Sequence, residues 1–291
     1  MKFRFVKMNG ASVWLAVGML LMLYVGGVGC TDKKRPAVEE EVAADSLVTD
    51  TLSADTIADI IDDAPLPKAV DELFDDFFFN FAGNRHMQMS RIQFPLPIHE
   101  DGATKKLERK QWRYSHFFMA DGYYTLLLDD EEQDSLSKKS TLDHAEVEKL
   151  YMNENLVKQY VFDRIDGEWR LTSVAHTRLS DHPCGDFLHF YQHFATDTAF
   201  QTQSLDEFVL MTVPDSDEEF SDVTGAITRE QWPFFKPALI PENIIYNVNY
   251  GQALRDENQK VMVVRGVANG LNTSMTFKRK NEHWKLVKFS E

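Results

Sequence analysis

Cysteine is nearly absent: the 291 residues contain only Cys30 and Cys184. Cys30 falls in a segment that reads as a processed leader, so Cys184 has no partner and an intramolecular disulfide is excluded. Stability then has to come from packing. Basic residues are also in short supply, 31 against 46 acidic ones, for a formal net charge of −15. Removing the segment that carries Lys2, Arg4 and Lys7 would make the chain more acidic still. Such a surface repels phosphate backbones and argues against nucleic acid as a partner. The motifs of familiar chemistry are missing too: there is no Ser nucleophile elbow, no glycine loop that cradles phosphate and no evident Cys-His dyad. The sequence therefore assigns no catalytic residue, no cofactor and no metal. What is present, 43% apolar and 12% aromatic residues, suits globular domains rather than disorder.

Residues 1–30 read as an export signal: a basic start, an apolar stretch from Ala11 to Val25, then Gly26, Gly27, Val28 and Gly29 running into Cys30. This ending resembles the lipobox of bacterial lipoproteins, although Gly26 and Val28 stand where Leu and Ala or Ser are commoner. The resemblance implies lipidation of Cys30, a membrane partner through that anchor, and residence in a bacterial cell envelope. The alternative, a transmembrane anchor, would need about 20 apolar residues. Residues 31–67 are rich in Asp and Glu (Glu39, Glu40, Glu41, Asp45, Asp50) and read as a disordered, self-repelling tether.

The rest of the chain writes one plan twice. FDDFFFNFA (Phe74 to Ala82) overlays FLHFYQHFA (Phe187 to Ala195), each with aromatic residues at i, i+3, i+4 and i+7, the mark of one buried helix face. Lys110-Gln111-Trp112 recurs as Glu230-Gln231-Trp232, and Thr228 with Gln231 has the form of a capping box. Strands follow. Ile244, Tyr246, Val248 and Tyr250 alternate with Ile245, Asn247 and Asn249, Lys260 to Val267 is β-branched, and a strand is expected around Glu146 to Tyr151. Each copy closes with a hairpin: Tyr160, Phe162, Arg164, Trp169 and Leu171 match Met275, Phe277, Arg279, Trp284 and Leu286. Asp166-Gly167 marks the first turn.

Helices first, then a meander ending in aromatic-x-Arg-x-Asp-Gly-x-Trp-x-Leu, resembles the nuclear transport factor 2-like superfamily, and the whole resembles bacterial lipoproteins of unknown function with two such domains. The resemblance implies α+β architecture with two tandem cone domains (cystatin-like), residues 68–180 and 181–291, each with N-terminal helices packed on a curved antiparallel sheet. It implies no single activity. The expected role is a non-catalytic module that binds a small apolar ligand or a protein. Its rival is an isomerase- or dehydratase-like enzyme using an Asp or His with a Tyr in the cone, and a plain structural spacer is a third reading. Tyr124, Tyr246, Trp112 and Trp232 are the pocket candidates.

Other clusters favour structural readings. Asp181, His182, Cys184, His189 and His193 could hold a divalent ion, but both helical His lie opposite the aromatic stripe. Asp215, Asp217, Glu218, Glu219 and Asp222 lack the EF-hand spacing and read as an exposed turn. Phe79 points off the stripe toward the other domain or a partner. Arg164 and Arg279 read as sheet-edge salt bridges.

Overall fold

The computed structural model describes residues 68–214 and 221–291; the leader, the tether and residues 215–220 of the acid-rich turn lie outside the described residues. Each copy opens with two short helices, α1 (Phe74–Gly83) and α2 (Arg85–Ser90), then α3 (Gly185–Thr196) and α4 (Thr198–Gln203). The break between helices is set by a cap. Asn84 accepts from the Met87 N–H at 2.7 Å, and Asp197 from the Ala199 and Phe200 N–H groups, satisfying donors a helix start leaves free.

The aromatic stripes face the cores as their spacing predicts, all buried except half-buried Phe190. Phe74, Phe77, Phe78 and Phe81 surround the ring of Phe162 at centroid distances of 5.3–5.9 Å. Phe187, Phe190, Tyr191 and Phe194 surround Phe277 at 5.1–6.2 Å. Phe79 packs on Phe118 and Tyr124 of the first core rather than reaching outward. A second repeated device ties α2 and α4 down. Gln88 takes the Trp112 indole N–H at 2.8 Å, and Gln201 takes that of Trp232 at 2.9 Å. Trp112 follows a 3-10 turn (Arg109–Gln111), whereas Trp232 opens the one-turn helix α5 (Trp232–Phe235).

The strands are β1 (Leu96–Glu100), β2 (Ala103–Leu107), β3 (Tyr123–Leu128), β4 (His144–Tyr151), β5 (Leu156–Ile165) and β6 (Glu168–Arg178) in the first copy. In the second they are β7 (Leu205–Pro214), β8 (Asp222–Ile227), β9 (Ile244–Asn249), β10 (Gln259–Gly266), β11 (Asn272–Lys280) and β12 (His283–Ser290). Both closing hairpins form as expected. Asp166-Gly167 and Asn281-Glu282 turn with positive φ, so Glu282 sits where the first copy uses a glycine.

The expectation of two separate cones needs correction. All twelve strands belong to one sheet, ordered β2-β1-β6-β5-β4-β9-β3-β10-β11-β12-β7-β8. The two copies have exchanged a strand: β9 of the second pairs with β4 of the first, and β3 of the first pairs with β10 of the second. The sheet therefore runs through the expected boundary at residues 180 and 181. Side-chain alternation explains how this is stable. Along β3, Tyr124, Leu126 and Leu128 enter the first core while Leu127 enters the second; β9 sends Tyr246 and Val248 one way and Ile245 the other. Because neighbouring residues on a strand point to opposite faces, α1 and α3 cover opposite faces of one sheet.

Asp129, just past β3, locks the exchange. Its carboxylate accepts from Lys260 Nζ at 2.5 Å and from the Arg255 and Asp256 N–H groups at 2.6 and 2.9 Å. Lys260 also donates to the Asp256 carbonyl. Burial works against the Asp129 charge, but Lys260 and the two amides outweigh it and hold the carboxyl below its ordinary range. The stability it supplies is thus present above the unfolded carboxylate's value, about pH 4, and is lost as pH falls through the lower folded value. We expect Lys260→Met to cost about 3–5 kcal/mol by stranding a buried charge. Adding Asp129→Asn should recover most of it, as read by urea unfolding.

Candidate functional site

Both core interiors are filled by side chains, so the open concavities lie elsewhere. One is a cleft of about 560 Å³ where the outer face of β4 and β5 meets the linker at residues 181–183 and the end of β9. Its floor is acidic. Glu146 and Glu148 rise side by side from β4, two residues apart and therefore on one face. Glu146 accepts from Gln159 at 2.7 Å, and Glu148, 2% exposed, accepts from Asn247 of β9 at 2.8 Å.

His182 faces the second oxygen of Glu148, with Nε2 at 3.3 Å, while the Cys184 backbone N–H donates to its Nδ1 at 3.0 Å. Burial disfavours a charged ring here, whereas side-chain hydrogen bonding with Cys184 and Glu148, and the Glu148 charge, favour it; the Cys184 backbone N–H, by contrast, needs Nδ1 unprotonated. A second proton would need Nδ1, so charging the ring requires the Cys184 N–H to let go. No Cys-His dyad is evident from sequence, yet these two residues adjoin. Cys184 is nevertheless buried and opens toward a neighbouring hollow rather than this cleft.

Glu100 and His176, 3.1 Å apart, close the far end. Lys105 foremost, then His176, pull the Glu100 carboxyl down to about 2. The enclosed Nε2 of His176 meets no hydrogen-bond partner among the described residues. This arrangement is a set of fixed acceptors with a few imidazole groups. It suits a ligand rich in N–H or O–H donors, and the charged groups it offers are held by the protein itself rather than aimed at a reacting atom. Among the described residues no three His, Cys, Asp or Glu groups converge as a metal site would require.

The four pocket candidates named from sequence all sit in or against the two cores. Tyr124 and Tyr246 are buried in the first core and Trp232 in the second, while half-buried Trp112 packs against the first. None lines the cleft. Trp112 and Trp232 are the latches already described, and Tyr246 lies under Lys149, 5.1 Å from its ring. Cys30 is outside the described residues. His189 and His193 are exposed on α3. Arg279 makes its ion pair, with Asp186, but Arg164 does not follow it: it binds the Asp71, Glu72 and Ser140 carbonyls and lies over Trp169.

An Asp-Tyr pair of the kind the enzyme reading requires does exist. Asp75 accepts from Tyr250 at 2.5 Å and from Tyr124 at 3.5 Å, and burial raises its pKa. Both phenols are 2% exposed and are packed against Phe74 and Phe118. A substrate could meet them only by displacing the core, and the pair instead pins α1 to β3 and to the residue that follows β9.

Residues 53–291 match the family model described as a domain of unknown function, DUF4348. The chain belongs to that family. A crystal structure of an NTF2-like protein from Bacteroides fragilis NCTC 9343 is similar at 36% identity and a TM-score of 0.72, covering 78% of this chain and 98% of that one. The chain thus has an NTF2-like, α+β fold. No curated protein matches the chain.

Proposed function

We propose that this DUF4348 member is an exported protein of a bacterial cell envelope, held to a membrane by a lipid on Cys30, that binds a ligand rather than transforming one. The observation that carries the binding reading is the contrast between two cone interiors filled by aromatic rings and an open cleft floored by Glu146 and Glu148. The lining favours a donor-rich ligand, an amine, a guanidinium-bearing peptide or a polyhydroxyl compound, over the apolar one expected from sequence. The two copies read as NTF2-like units that have traded a strand, and the end of the traded β9 contributes Asn249 to the cleft wall. The anchor rests on the Gly26 to Cys30 sequence.

Glu146 is the residue to change, because Glu148 is tied into the fold. Loss of one charge-assisted hydrogen bond is worth about 1.5–3 kcal/mol. We therefore expect Glu146→Gln to weaken binding of a polyamine or an arginine-containing peptide by about tenfold or more in calorimetric titration, with the melting temperature unchanged. If no donor-rich compound binds, or if the variant binds equally well, the cleft is not the site. Turnover of any bound compound would overturn the non-catalytic reading.

A further inference from the structure

Against the acidic bulk of the chain, one hollow of about 400 Å³ is ringed by four cations, Arg85, Arg109, Lys110 and Arg113, with Trp112 and Tyr114 in its wall, and no carboxylate lines it. It lies in the first copy, between the start of α2 and the segment after β2. Part of it is built rigidly. Arg109 donates to the Met89 carbonyl at 2.8 Å and lies 5.6 Å over Phe94. Trp112 is held by Gln88, and the Tyr114 hydroxyl donates to the Ala82 carbonyl at 2.9 Å. Arg85, Lys110 and Arg113 are exposed, and their side chains make no hydrogen bond or ion pair among the described residues. Like charges gathered in this way repel one another, a cost that a bound anion would remove.

The second copy supplies an internal control, because it keeps the scaffold and drops the charges. Gln201 still receives the Trp232 indole N–H, and Gln231 still receives the Thr228 N–H as Gln111 receives that of Glu108. Arg109 has its counterpart in Arg229, which likewise donates to a backbone carbonyl, that of Leu205. Counting along from these matched residues, Glu230 stands for Lys110, Pro233 for Arg113 and Phe234 for Tyr114. Counting along α1 and α3 in the same way, Thr198 stands for Arg85. The fold therefore needs the Gln-Trp latch and the carbonyl-bound arginine. It does not need Arg85, Lys110 or Arg113.

We propose that this hollow is a binding site for a phosphomonoester, with Arg85, Lys110 and Arg113 taking the phosphate and the Trp112 ring taking the body that carries it. A carboxylate offers one negative charge. A phosphomonoester at neutral pH offers roughly 1.5–2, with three strong acceptor oxygens, a better match to guanidinium forks and an ammonium. An extended polyanion is disfavoured by the acidic excess of the chain as a whole. The phosphate can come from a soluble sugar phosphate or from a phosphorylated lipid headgroup.

The test uses the chain from residue 31 onward, titrated with a hexose phosphate, with inorganic phosphate, with acetate at equal ionic strength, and with phosphatidic acid vesicles against phosphatidylcholine vesicles. The expected result is binding of the hexose phosphate or the phosphatidic acid vesicles. Which of the two binds identifies the source. Affinity should fall at least about tenfold in the Arg85→Ala/Arg113→Ala double variant, with unchanged melting, as loss of charge-assisted contacts implies. Thr198→Ala/Glu230→Ala should bind like the wild type. The proposal is overturned if no phosphate compound binds, if acetate competes equally, or if the double variant binds as tightly as the wild type.

Discussion

Expressed separately, residues 68–180 and residues 181–291 should each fail to give a soluble folded monomer, and refolding them together should restore the native circular dichroism and a single 1:1 complex on gel filtration. The reason is the traded strand. Leu127, Leu150, Met152 and Val157 belong to the first copy by sequence but are buried in the second core. Burying such a side chain is worth roughly 1.5–3 kcal/mol, so these four alone rival the net stability of a typical domain, about 5–15 kcal/mol. The second copy loses equally, since Tyr246, Val248, Tyr250, Val261 and Val263 serve the first core. Each isolated copy would also present β4 or β10 with one unpaired edge, an invitation to aggregate. A folded, monomeric fragment of residues 68–180 would show that the copies are independent domains after all.

Replacing Gln88 by leucine should lower the unfolding free energy by about 3–4 kcal/mol, since leaving buried groups without hydrogen bonds costs about 1–3 kcal/mol each and the half-buried ones are partly rescued by water. Gln88 is fully buried and meets four groups at once: it donates to the Phe81 and Ser115 carbonyls and accepts from the Trp112 indole and the Ser115 N–H. Leucine fills similar space and satisfies none of them. Gln201→Leu should cost less, because among the described residues the Gln201 side chain meets only the Phe194 carbonyl and the Trp232 indole. Chemical denaturation of the two variants side by side measures the difference. Equal costs would mean that the Ser115 contacts contribute nothing.

Much of the local structure is legible in the chain. The i, i+3, i+4, i+7 aromatics locate α1 and α3, and the matched Phe-x-Arg runs locate the closing hairpins. The strands near the two ends of the sheet are harder: β1 carries Pro97 and follows Pro95, and β8, at the edge itself, is a short run containing Gly225, so neither has a clean alternating pattern. The strand exchange is hidden for a different reason. Alternation tells which faces of a strand are apolar but not which strand lies beside it. One clue is present, because residues 126–128 and 261–264 are apolar on both faces, as strands covered on two sides must be. The cleft is the least legible part. Glu148 meets Asn247 across 99 positions of sequence and His182 across 34, and no spacing rule links residues that only an exchanged strand brings together.

Because each copy completes the other, evolution cannot treat them as two proteins. Side chains at the rims are free to diverge, as Lys110 has from Glu230 and Gly167 from Glu282. A change in β3 or β9 is judged in two interiors at once.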